Sequence, residues 1–138
     1  MARGATGLPG PVYIEMPTDV LRTGVAAAAA LPEYFERRAM PRALPDPASI
    51  GRAASLLARA RKPLVISGGG ARGAGSALVQ LLDASGAAYL DTQESRGLVA
   101  PDHPAFAGAM RAAAMTEADL VVTVGRRLDY QLGYGSPA

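Results

Sequence analysis

The chain has 138 residues, 49% of them apolar and 19% charged, enough for one globular core but not for two complete ones. It contains no cysteine, which excludes disulfides, thiolate-held zinc and a thiol nucleophile, and which fits a reducing cytoplasm. Its net charge of +2 comes almost wholly from scattered arginines that are not interleaved with aromatics, a pattern that argues against nucleic acid and suits the phosphates of a small cofactor.

Residues 1–10 are Gly-rich and read as a loop without the charged-then-apolar order of a signal peptide. Residues 12–16, Val-Tyr-Ile-Glu-Met, have strand composition and are closed by Pro17. With no partner before them, they are expected to be the last strand of something that begins upstream. From Thr18 to Asp46 the pattern weakens: a run of alanines, with Pro32, Pro41, Pro45 and the following Pro47, favours a linker, with one helical turn over residues 33–38. The near-apolar run at 25–31 is too short to cross a bilayer, so no membrane partner is expected.

Asp46-Pro47 is a helix start, Asp as N-cap and Pro in the first turn, and Ile50, Ala53, Ala54, Leu57 and Ala58 supply an apolar stripe up to Pro63. Leu64, Val65 and Ile66 form a buried strand that stops at Gly68, Gly69 and Gly70. Ala74, Ala77, Leu78, Leu81 and Leu82 then mark one face of a helix, which Gly86 ends in the left-handed conformation. A second strand covers 87–91, a short helix lies near 111–117, and 120–124 is a third buried strand. Residues 133–137 read as a loose tail.

This alternation predicts a parallel α/β sheet with helices on both faces, Rossmann-like and incomplete. In such sheets ligands sit at the carboxyl ends of the strands, where segments 68–72, 91–93 and 125–129 should converge. Gly68, Gly70 and Gly73 satisfy the G-x-G-x-x-G spacing, and Asp91 ends the next strand about where a ribose-binding acid belongs. A nicotinamide dinucleotide site, another nucleotide or phosphate contact, and a tight turn without ligand all remain open at this point. His103, the only histidine, sits between Asp102 and Pro104 with no relay partner nearby in sequence. The acids of the first 46 residues lack metal-ligand spacing.

Several motifs then occur in a known order. Gly10-Pro-Val-Tyr-Ile-Glu-Met-Pro-Thr-Asp-Val20 resembles the segment closing the N-terminal pyrimidine-binding domain of thiamine diphosphate enzymes. Arg61-Lys-Pro-Leu-Val-Ile-Ser-Gly-Gly-Gly-Ala71 resembles the opening of their central domain. Asp102-His-Pro104, Phe106-Ala-Gly108, Glu117-Ala-Asp-Leu-Val-Val-Thr-Val-Gly125 and Arg127-Leu-Asp129 follow in family order. The likeness is to acetolactate synthase and its relatives, including the oxalyl-CoA and 2-hydroxyacyl-CoA lyase type.

The resemblance implies an N-terminal domain tail (1–20), a linker (21–45) and a truncated central nucleotide-binding-like domain (46–138). It implies a parent enzyme that joins or cleaves carbon–carbon bonds at 2-oxo acids with thiamine diphosphate and Mg2+, whose binding motifs lie outside this chain. FAD or ADP would be the ligand of this domain, with Gly68, Gly69, Gly70, Arg72, Thr92, Gly108, Arg127 and Asp129 lining the groove and no catalytic or metal-binding residue here. Acetolactate synthases tend to carry a second Asp and an Arg after the position of Asp129, where this chain has Tyr130-Gln131. A cytoplasmic homo-oligomer with a small-molecule substrate, its remaining domains as partners, completes the implied picture. The alternatives are an NAD-binding oxidoreductase domain and a scaffold module of the same fold.

Overall fold

Three consecutive buried apolar residues between Pro63 and Ser67 can be satisfied only by a strand covered on both faces, and that strand is the axis of the sheet. The structure, a computed structural model, describes residues 11, 13–26 and 44–136. The chain divides into two compact units, 1–44 and 45–138.

In the first unit the one regular element among the described residues is α1 (Thr18–Arg22), exposed along its length. Of the strand expected at 12–16, Val12 lies outside the described residues and residues 13–16 form no strand. A strand is held by a neighbour's backbone groups, and no described segment supplies one. The expected helical turn at 33–38 lies outside the described residues.

The second unit opens with α2 (Pro47–Arg59). Asp46 caps it as expected: its carboxylate accepts from the Ser49 N–H at 2.9 Å and the Ser49 hydroxyl at 2.6 Å. The helix ends at Arg59, ahead of Pro63, because Asp119 catches the N–H groups of Arg61 (2.8 Å) and Lys62 (2.9 Å) and holds them extended. Backbone donors pull the Asp119 carboxyl below its ordinary value. The apolar stripe of α2 is left uncovered, with Ile50 54% exposed.

Next come β1 (Pro63–Ser67), α3 (Gly75–Ser85), β2 (Ala88–Leu90), α4 (Arg111–Glu117) and β3 (Leu120–Val124). All pairings are parallel and the strand order is β2-β1-β3, with Leu64 opposite Ala88 on one side and Val121 on the other. The sequence did not announce that residues 105–107 add a further extended stretch outside β2. The Tyr89 N–H donates to the Ala105 carbonyl at 2.7 Å and the Ala107 N–H to the Tyr89 carbonyl at 2.9 Å.

Each face of the sheet has its own core. Val65, Leu78, Leu82, Ala87, Tyr89 and Val99 pack on the α3 side. Leu64, Ile66 and Leu90 pack against Ala114, Met115 and Ala118 of the α4 side and against Leu132. Burial of each such side chain stabilises by roughly 1.5–3 kcal/mol. Gly86 ends α3 at φ 63°, as its position predicts. His103 proves structural: its Nδ1 accepts from the Ala105 N–H at 3.1 Å and its Nε2 faces Asp83 at 3.2 Å, tying the loop before 105–107 to α3. No described helix is long and apolar enough to cross a membrane.

Candidate functional site

All three strands deliver their carboxyl ends to one edge, and the loops leaving them are laced together there. After β1 the backbone runs extended through Gly68 (φ −137°) into a 3-10 turn, Gly69–Ala71. The Gly68 N–H donates to the Val124 carbonyl at 3.0 Å and the Gly70 N–H to the Gly125 carbonyl at 2.9 Å, so the turn is clipped to the exit of β3. The approach is too close for side chains. A Cβ on Gly68 would lie 2.6 Å from the Gly125 oxygen, and one on Gly70 would lie 2.8 Å from the Gly125 Cα. Gly125 itself is at φ 61° with Gly70 and the Ala71 nitrogen against it. Packing of chain on chain therefore accounts for glycine at 68, 70 and 125.

The loop after β2 is fixed from below. The hydroxyls of Thr92 and Ser95 each donate to the Ser67 carbonyl, at 2.8 and 2.9 Å, and Ser95 accepts from the Thr92 N–H at 2.9 Å, forming a capping box. Beneath them the Ser67 hydroxyl and the Tyr89 phenol share a buried hydrogen bond of 2.6 Å. Burial pushes the Tyr89 phenol above its usual value, opposed in part by that bond. This staple carries Glu94 onto the glycine turn: its carboxylate lies against Gly69, in the space a Cβ would occupy. Arg72 donates from Nε to the Glu94 carbonyl at 3.3 Å.

The loop after β3 is held by Arg126, whose side chain is only 15% exposed. Its Nη2 reaches both oxygens of Asp129 (3.0 and 2.9 Å) and the Gln131 amide oxygen (2.6 Å). Asp129 also accepts from the Gln131 N–H at 3.0 Å, starting the 3-10 stretch Tyr130–Gly135, whose backbone leaves helical geometry at Leu132, Gly133 and Tyr134. The Nε of Arg126 is buried and has no hydrogen-bond partner among the described residues. A buried donor so placed is costly unless something accepts from it.

Gly68, Gly69, Gly70, Arg72, Thr92 and Asp129 are thus drawn into one cluster. Arg127 is exposed beside it. Gly108 leaves the same end of the sheet after residues 105–107, two strand positions from β1, or roughly 10 Å; the space its Cβ would need is filled by the Phe106 ring at 2.6 Å. Asp91 meets none of them through its carboxylate; its carbonyl accepts from Arg111 at 3.4 Å. Sequence reasoning missed Ser95, Glu94 and Arg126. The Thr-x-x-Ser spacing of 92–95 was a readable capping signal. Nothing in the pattern distinguishes Arg126 from Arg127.

A family model described as the central domain of thiamine pyrophosphate enzymes matches residues 50–138. The chain is 34% identical over 131 residues to 2-hydroxyacyl-CoA lyase 1 of Dictyostelium discoideum, covering 92% of this chain and 23% of that protein. It is 35% identical over 133 residues to the oxalyl-CoA decarboxylase of Escherichia coli K12, covering 94% and 24%. Against a probable 2-ketoarginine decarboxylase of Pseudomonas aeruginosa the identity is 39% over 129 residues, covering 87% and 22%. The chain spans about a quarter of the length of the curated relatives it matches.

Proposed function

Because the chain belongs to the thiamine pyrophosphate enzymes, with most of its length matching their central domain, we propose that it is the nucleotide-holding portion of an enzyme that makes or breaks carbon–carbon bonds at 2-oxo acids or acyl-CoA-type substrates. The observation that carries this reading is the clasp at the strand ends. Three loops meet over β1, and Arg126 presents a buried, unpartnered Nε among them. That donor set suits an anionic or polar ligand such as ADP, alone or as the adenylate half of FAD. Arg126 would donate to a phosphate oxygen, Arg72 and Arg127 would supply charge at the rim, and the Gly69 region would lie beside the ribose.

The described residues do not fit thiamine diphosphate. Its diphosphate is held through a divalent cation, and no three metal-ligating side chains come together among them. No step of the reaction is assigned to this chain. Its part is to bind a nucleotide and to join the remaining domains of a cytoplasmic, homo-oligomeric parent.

Equilibrium titration of the chain with ADP and FAD tests the reading. Saturable binding that Arg126→Ala abolishes and that Arg126→Lys fails to restore is expected, since a lysine cannot reproduce a guanidinium already forked onto Asp129. Absence of binding by either nucleotide refutes it.

A further inference from the structure

We propose that Glu94 is the ribose-recognising acid of this groove and restricts it to nucleotides whose 2′- and 3′-hydroxyls are both free. The inference rests on the nucleotide reading above and names which nucleotides that site accepts.

In strand-turn-helix nucleotide sites the acid that reads the ribose follows the glycine turn by about 20 residues. By sequence Asp91 holds that place, at the end of β2. The structure gives its role to another residue. Neither carboxylate makes a hydrogen bond among the described residues, but that of Glu94 rests on Gly69, in the space a Cβ there would occupy. The backbone at Glu94 is set in place: the Thr92 and Ser95 hydroxyls are both anchored on the Ser67 carbonyl, and Arg72 is bonded to the Glu94 carbonyl. Glu94 is itself exposed, so its carboxylate is within reach of a ligand.

Its charge is uncompensated. Arg72 is bonded to the backbone carbonyl, and no ion pair to the Glu94 carboxylate forms among the described residues. An ionised carboxylate only accepts hydrogen bonds. Placed against a turn, it takes two O–H donors from a vicinal diol and repels a phosphate ester on either oxygen. The Gly69 N–H has no partner among the described residues and is a further donor in the same turn. A glycine-turn phosphate cradle would want its N–H groups clear of any carboxylate.

The test is calorimetric titration of the 138-residue chain with ADP and with its 2′-phosphorylated counterpart, repeated on Glu94→Gln and Glu94→Arg, each variant checked for an unchanged melt. The wild-type chain is expected to prefer ADP by at least about tenfold, the Gln variant to lose about tenfold in ADP affinity, and the Arg variant to reverse the preference. Equal affinities for the two nucleotides, or ADP binding unmoved in Glu94→Gln, overturn the role of Glu94 and leave the groove standing. A folded wild-type chain that binds neither nucleotide overturns the groove and this inference with it.

Discussion

Gly70→Val places a branched side chain where the chain has no room. Its Cβ would stand 2.8 Å from the Gly125 Cα and 3.1 Å from the Gly125 oxygen, and both are backbone atoms that cannot swing aside. Gly125 is pinned in turn by its positive φ and by the Gly68 and Gly70 N–H bonds to the strand exit. Overpacking of this kind costs about 1–3 kcal/mol. Separating the two loops also gives up the 2.9 Å hydrogen bond from Gly70, worth about 0.5–1.5 kcal/mol. The sum, about 1.5–4.5 kcal/mol, is a large share of the stability of a domain this size and lowers its melting temperature by roughly 5–35 °C. Gly69→Ala is the matched control, because its Cβ meets only the Glu94 side chain, the far end of a flexible group. Thermal melts followed by far-UV circular dichroism should separate the two by most of that range. A Gly70→Val protein that melts within a few degrees of wild type would refute the close-approach argument and return the glycine to a ligand.

Leu64→Ala, at a site 1% exposed on the central strand, should cost about 2–5 kcal/mol in a urea unfolding titration. Tyr89→Phe strands the buried Ser67 hydroxyl and should cost about 1–2 kcal/mol. The same phenol holds its proton in the folded chain at pH values where the unfolded chain, titrating near its model value of 10.0, has released it. Stability should therefore fall as pH rises past about 10, less so in Tyr89→Phe. For Asp119 the sign is reversed. Its folded value lies below the model value of 3.8, so its contribution is complete above that pH and is lost as pH falls through the depressed value; Asp119→Asn should flatten this acid limb of a stability–pH curve.

How much of this was legible beforehand depends on whether a feature is local. The Asp46-Pro47 start, the bounds of α4 and β3, and the left-handed Gly86 follow from side chains acting within a few residues of themselves, and each stands where the pattern put it. Convergence of the three loops also followed, since parallel strands share a carboxyl edge. What failed was whatever another segment decides. Strand composition at residues 13–16 makes no strand without a neighbour. Phe106 joins the sheet through hydrogen bonds made by Tyr89, which no alternation around 106 reveals.

The glycine turn shows the same division at the site itself. Its spacing reads as a cradle for a ligand because a missing side chain looks alike whatever fills the gap. Here the gap at 68 and 70 is filled by the backbone of β3's exit and the gap at 69 by a carboxylate. A phosphate pressed onto that turn would meet Glu94, so the proposed anion contact is better sought at Arg126, whose buried Nε has no hydrogen-bond partner among the described residues. Spacing alone could not choose between the two ends of the groove. The contact between Gly69 and Glu94 does, by putting negative charge where the motif promised its absence.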